Sequence, residues 1–179
     1  MRSMNVQGRL HIRPLEALDV PAILEIISKC RREYGLEGRV HAILEPADFA
    51  IHDLYCRPRA SYFVAIVDGE VAGGAGIAPL ADDRQATCAL QRMYLRRSNR
   101  SVGIGRMLLA ANIQAAQRFR FERCYAETIS EMTTALAFYQ RNGFRLLTTP
   151  FGNTGHTHSD RWMMLDLTLP KSPAGLDHV

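Results

Sequence analysis

Apolar and polar positions recur along this chain with two periods, and the elements change where the period changes. Residues 10–13 alternate as a first strand that ends at Pro14. From Asp19, a candidate N-cap with Pro21 in the first turn, Ala22, Ile23, Ile26, Ile27 and Cys30 repeat at helical spacing. The helix they predict fades near Tyr34-Gly35. A polar stretch to Glu45 leads into a second predicted helix over residues 46–55, where Phe49, Ile51 and Leu54 make a weak apolar side. Residues 61–67 and 71–78 read as strands joined by Asp68-Gly69, a strong hairpin signal. Residues 87–95 read as a third antiparallel member. Gly73, Gly74 and Gly76 inside the second of these strands predict a bulge or close backbone packing ahead of a ligand contact. A long helix over residues 104–121 follows from the spacing of Met107, Leu108, Ala111, Ile113 and Ala115. A short strand over 124–128, a helix over 132–141 with an Asn142-Gly143 C-cap, and strands over 144–148 and 162–167 complete the chain.

The order β-αα-βββ-α-β-α-ββ predicts an α/β (α+β) fold, a mixed and mostly antiparallel sheet of about 6–7 strands flanked by helices. A length of 179 residues suits one domain, expected over residues 10–168 between a leader (1–9) and a tail (169–179). The composition, 47% apolar and 22% charged, is that of a globular protein. The net charge of +4 is scattered rather than gathered into a stripe, which argues against a nucleic-acid partner. Cys30, Cys56, Cys88 and Cys124 form no Cys-x-x-Cys pair, so buried free thiols are expected and no metal site. No apolar run approaches the ~20 residues that span a bilayer, and residues 1–10 lack the apolar core of a signal peptide. The expectation is a cytoplasmic protein with no membrane partner.

The most informative stretch is Leu90-Gln-Arg-Met-Tyr-Leu95 followed by Arg100-Ser-Val-Gly-Ile-Gly105 and a helix. The first amides of a helix have no intrahelical partner, and glycines let an anion approach the backbone. This is either a diphosphate cradle or an ordinary tight turn. A Walker loop would need Gly-Lys-Ser/Thr, which is missing, and a Rossmann fingerprint would need a third glycine where Leu108 stands.

Arg100-x-x-Gly103-x-Gly105 resembles the acyl-CoA signature of the GNAT superfamily of N-acyltransferases. Downstream, Ala135-Leu-Ala-Phe-Tyr139-Gln-Arg-Asn-Gly143-Phe144 resembles the family's other signature, a short helix carrying a tyrosine and stopped by Gly-Phe. Two signatures in the right order are far more specific than either alone, and the resemblance covers residues 10–168. It implies a GNAT-like sheet and transfer of an acetyl group from acetyl-CoA, as co-substrate, to the primary amine of a small molecule or amino acid. Attack would be direct, in a ternary complex.

On that resemblance the backbone of Ser101, Val102, Gly103, Ile104, Gly105 and Arg106 receives the diphosphate, with Arg100 and Arg106 adding charge. Arg106 reads equally as a solvated first-turn residue. Main chain at Met93, Tyr94 and Leu95 would pair with pantetheine and polarise the thioester carbonyl, while the side chains of Met93 and Leu95 read as core. Tyr139 matches the tyrosine that donates a proton to the CoA thiolate. Many relatives carry a glutamate just before the Leu-Gln-Arg/Lys-Met-Tyr run, and this chain has Ala89. Glu127, at the end of a strand bordering the cleft, is the substitute general base. Met132 stands where many members have a cofactor-contacting asparagine. Glu33 and Tyr34, with Glu37, would face the acceptor. His156, with His158 and Asp160 after a Gly-Asn-Thr-Gly loop, reads as an exposed loop residue, a base or an acceptor contact, and His-x-His-x-Asp alone is poor evidence for metal ligands. Two other functions fit the same residues: an acyl-CoA-binding sensor or impaired homologue, motivated by Ala89 and Met132, and an acetyltransferase for protein N-termini or lysines. An edge strand near the C-terminus offers a homodimer contact.

Overall fold

Asp68 and Gly69 both adopt positive φ, 52° and 85°, the geometry whose twist matches the strands it joins. They link β2 (Ser61–Val67) to β3 (Glu70–Pro79), and the sheet grows outward from this hairpin. The computed structural model of the protein describes residues 10–36, 44, 46–83, 86–152, 154 and 159–168. The expected leader and tail, and Glu37, His156 and His158, lie outside these residues.

β1 (His11–Pro14) pairs with β2, and β4 (Thr87–Leu95) with β3, all antiparallel. β5 (Arg123–Thr128) runs parallel to β4 after a crossover through α4 (Ile104–Arg118), as a parallel pair requires. β6 (Arg145–Leu147) and β7 (Arg161–Asp166) complete a seven-stranded sheet in the order β1-β2-β3-β4-β5-β7-β6. The expected order of elements and the mixed, mostly antiparallel sheet are both found.

Helices cover both faces. On one, Leu108, Leu109 and Ile113 of α4, with Tyr139 of α5 (Thr133–Arg141), pack on Ala75, Ile77, Cys88 and Cys124. On the other, Ile23 and Ile27 of α1 (Val20–Glu33), with Ile51 and Tyr55, cover Tyr62, Val64 and Ile66. A third cluster on that second face joins Leu80, Ala89 and Tyr125 to Phe151 and Trp162.

Several bounds differ from the pattern for definable reasons. The helix expected over 46–55 breaks at Ala50 into α2 (Pro46–Phe49) and α3 (Ile51–Tyr55). The break lets Asp48 and Ile51 both face the interior and leaves Phe49 outside. α4 stops at Arg118 because Arg120 turns to φ 60° and the Phe121 amide donates back to the Ala116 carbonyl at 3.0 Å, burying the Phe121 ring. Asp19 precedes α1 without capping it, and its carboxylate accepts from Arg13 at 2.6 and 2.8 Å instead. Asn142-Gly143 closes α5 as expected, with Gly143 at φ 92°. Of the four free cysteines, Cys30, Cys88 and Cys124 are buried, and Cys56 is exposed at the end of α3, contrary to expectation.

Two irregularities in the centre of the sheet shape the cleft. The β4–β5 ladder has four pairs, from Thr87↔Arg123 to Leu90↔Ala126, and beyond them the two strands no longer pair. On the other edge of β4, Gly74 faces Tyr94 while Gly76 faces Gln91, so Ala75 alone opposes Arg92 and Met93. Arg92 absorbs this bulge at φ 50°, and Tyr62 Oη donates to its carbonyl at 3.0 Å. A Cβ on Gly74 or Gly76 would lie 2.4 or 2.5 Å from the Tyr62 ring. These glycines are the close packing that the sequence announced.

Candidate functional site

After β4 the chain makes a 3-10 turn over Arg97–Asn99 and reaches the start of α4. Ser101 and Gly103 take φ 65° and 90°, so the backbone curls before the helix begins. Met107 N–H donates to the Gly103 carbonyl at 3.2 Å, the first intrahelical bond. The amides of Ile104, Gly105 and Arg106 therefore precede the ladder, beside the exposed residues Ser101, Val102 and Gly103. Nothing would lie within 4 Å of a Cβ at Gly103, and a Cβ at Gly105 would make only ordinary contacts with Met93, Leu95 and Phe138. Gly103 is thus required for its positive φ, while the space above it is open. Ile104 is buried in the core.

Arg100 does something other than extend toward an anion. Its Nε donates to the Leu95 carbonyl at 3.0 Å, Nη1 to Glu33 Oε2 at 2.6 Å and Nη2 to Cys30 Sγ at 3.1 Å. The guanidinium staples the loop to the end of β4 and to α1. Glu33, expected beside the acceptor, is here the loop's counter-ion, while Tyr34 caps α1 and is half-buried. Arg106 is exposed in the first turn of α4.

Below the cradle, on the α4 and α5 face, Tyr139 sits between the rings of Phe138 and Phe144, with centroids at 5.5 and 5.3 Å. Its Oη lies 3.8 Å from Met93 Sδ. Burial raises the phenol well above its ordinary pKa, with Tyr94 and Cys124 adding to the effect. Tyr139 is therefore a protonated donor at neutral pH. Met93 and Leu95 contribute side chains to the same core. Along β4 from Gln91 onward, the edge turned toward β5 has no strand partner among the described residues.

The opposite face of the gap has two walls. On the β5 side Glu127 is the first residue past the last β4 pair, and Tyr125 Oη donates to its Oε2 at 3.3 Å. Thr154 Oγ1 donates to Oε1. Burial, then the neighbouring Glu127, raises the Tyr125 phenol too, which keeps it a donor to that carboxylate. Ala89, two residues before Gln91, is buried against Tyr125 and Leu80. The space around Ala89 is apolar. Met132 precedes α5 and its sulfur accepts from Thr128 Oγ1 at 3.1 Å. Asp160 accepts from Ser130, at 2.7 Å from its amide and 2.8 Å from its hydroxyl.

The β4 wall is polar in a way the pattern did not reveal. Gln91 Oε1 accepts from Tyr55 Oη at 3.0 Å. Arg92 Nε donates to Asp48 Oδ1 at 2.7 Å and Nη1 to Tyr55 Oη at 3.4 Å, while Asp48 Oδ2 accepts from Arg31 at 2.5 Å. Asp48 is fully buried and the Arg92 side chain is 7% exposed. Burial alone would lower the Arg92 pKa, but Tyr55 and Asp48 outweigh it and raise it. The one available signal was Gln91-Arg92 itself, two adjacent polar residues breaking the alternation of a central strand.

Comparison with known proteins bears on the family and the fold. A family model described as the acetyltransferase (GNAT) family matches residues 20–144. The protein named uncharacterized N-acetyltransferase YjgM, from Escherichia coli (strain K12), is 33% identical over 157 residues, covering 87% of this chain and 94% of that one. Among solved structures, a GNAT-family acetyltransferase from Staphylococcus aureus Mu50 superposes with a TM-score of 0.76 at 20% identity, covering 89% of this chain and 99% of that one. The Salmonella typhimurium protein yncA, solved with its cofactor acetyl-CoA, superposes with a TM-score of 0.71 at 20% identity, covering 92% and 97%.

Proposed function

The chain belongs to the GNAT family of acetyltransferases and is an acetyl-CoA-dependent acyltransferase, and from that premise we propose that it acetylates the primary amine of a small molecule by direct attack in a ternary complex. The observation that carries this reading is the unpaired β4 edge running into the αL-capped start of α4, with the Tyr139 hydroxyl beneath it.

The residues fit the cofactor. Open space above Gly103 and ordinary contacts at Gly105 leave the backbone of residues 101–106 accessible to a diphosphate, and the α4 N-terminus supplies its unpaired amides. Main chain at residues 93 and 94 offers hydrogen bonds to an extended amide-bearing arm, while the Leu95 carbonyl already accepts from Arg100 and Cys30. When bound, acetyl-CoA supplies the activated acetyl thioester. Tyr139 Oη delivers a proton to the departing sulfur, a task that suits a phenol held neutral by burial. Glu127, steadied by Tyr125 and Thr154, takes the proton from the amine, directly or through water. Arg100 serves by fixing the loop rather than by touching phosphate. An intact Tyr139 and a placed Glu127 favour an enzyme over a sensor that only binds acyl-CoA. His156 stays an acceptor-side candidate on sequence alone.

The reading includes a cytoplasmic setting, consistent with the absence, among the described residues, of a helix long and apolar enough to cross a membrane. It also includes a homodimer through the outer edge of β6, where Leu146 is half exposed.

The test is a panel of amines with acetyl-CoA, following thiol release, alongside thermal melting. Acetyl-CoA at 100 times its Kd should stabilise the protein by about 2.7 kcal/mol, and at least one amine should be turned over. The Gly103→Asp, Gly105→Asp double variant should lose both effects. No melting shift in the parent protein would sink the reading.

A further inference from the structure

We infer that Arg92 binds a carboxylate of the acceptor, so that the substrate is an amino acid or other amino-carboxylic acid rather than a simple amine. The inference rests on the acetyltransferase reading above and names the substrate class of that same site.

Arg92 stands at the bulge of β4, and its guanidinium is held at two points, Nε on Asp48 and Nη1 on Tyr55. Among the described residues Nη2 has no hydrogen-bond partner, and Asp48, which holds Nε, also binds the Arg31 guanidinium, so two cations meet on one carboxylate. An anion reaching this nitrogen gains a charge-assisted hydrogen bond from a guanidinium that is already held in place. Arginine suits the task because its planar fork presents a donor in a fixed direction once the other nitrogens are anchored.

Location separates this anion from the cofactor's phosphates. Asp48 and Tyr55 belong to α2 and α3, on the face covered by α1, whereas α4 and its amides lie on the opposite face. The same face carries Glu127: Ala89 pairs with Tyr125 in the ladder, Gln91 and Glu127 are each two residues further on, and strand alternation keeps all four on one side. A cation on the β4 wall and a carboxylate on the β5 wall therefore flank one gap. A zwitterion matches both, its carboxylate on Arg92 and its amine at Glu127. Tyr62, which holds the Arg92 carbonyl, and Gln91, which shares Tyr55 Oη, keep the guanidinium in place.

The test pairs each common L-amino acid with its carboxamide and with the amine lacking the carboxyl group, all with acetyl-CoA. For the best acceptor, kcat/KM for the acid should exceed that for the amide by about tenfold or more, the size of a lost charge-assisted hydrogen bond. Arg92→Gln should bring that ratio close to one, mainly through KM, and Arg92→Lys should restore part of it, with the acetyl-CoA melting shift retained in both. Should these variants fail to fold, the paired substrates on the parent enzyme still decide. In parallel, with free CoA present, an N-acetylated amino acid should raise the melting temperature more than its amide does. Equal turnover of acids and amides, preference for diamines or for peptide N-termini, or equal melting shifts would overturn the inference. Any of these would leave the acetyltransferase reading standing, which fails only if acetyl-CoA itself does not bind.

Discussion

Tyr139 illustrates how environment, more than identity, assigns a role. A phenol between Phe138 and Phe144 with its oxygen near a thioether has no water to stabilise the phenolate, so burial raises its pKa. The native state holds the proton more tightly than an unfolded chain would. Tyr139 thus remains a donor through neutral and mildly alkaline pH, and no falling limb of the rate profile below its ordinary value of about 10 should belong to it. Tyr139→Phe should lower kcat by about 10²-fold or more while the acetyl-CoA melting shift stays within error. Unchanged turnover would remove the residue from the mechanism. Cys30 is the converse case: burial raises its thiol, which donates to the Leu95 carbonyl at 3.3 Å and packs beneath Arg100 as structure.

At the level of elements, the β3 glycines and the β4 bulge form one device. Gly74 and Gly76 clear space for the Tyr62 and Tyr55 rings, and those tyrosines fix the backbone and side chain of Arg92. Gly76→Ala would push a methyl to 2.5–2.6 Å from both rings. It should destabilise the fold by about 1–3 kcal/mol in urea titration. A neutral effect would mean that the rings shift freely and that the device is not rigid. Such coupling explains what could be read beforehand. Strand and helix order, the Asp68-Gly69 turn and the α4 start were legible because each depends on local period or turn chemistry. Arg92 was not, because its meaning comes from Asp48 and Tyr55, residues 44 and 37 positions away. Arg100 and Glu33 were both picked out, but for separate tasks. Their pairing spans 67 residues and has no local signature.

For the whole molecule, β6 ends the sheet, with β7 its one strand partner among the described residues and Leu146 half exposed, and the proposed homodimer would form along this edge. The protein should sediment as a dimer, and Leu146→Lys should shift it to the monomer without abolishing thiol release. A parent that sediments as a monomer at micromolar concentration would exclude this contact.

The short ladder between β4 and β5 has a consequence for how this protein can change. With only four pairs joining them, the two banks of the gap are upheld by different parts of the chain: α2 and α3 behind Arg92, Tyr125 and Thr154 behind Glu127. The start of α4, where the proposal puts the diphosphate, is tied through Arg100 to Glu33 of α1, the helix whose Arg31 also holds Asp48. Substitutions on separate supports combine nearly independently when they share no neighbours. The bank behind Arg92 can therefore acquire a preference for a new acceptor without disturbing Glu127, the proposed base on the other bank, so that selectivity can evolve apart from proton transfer.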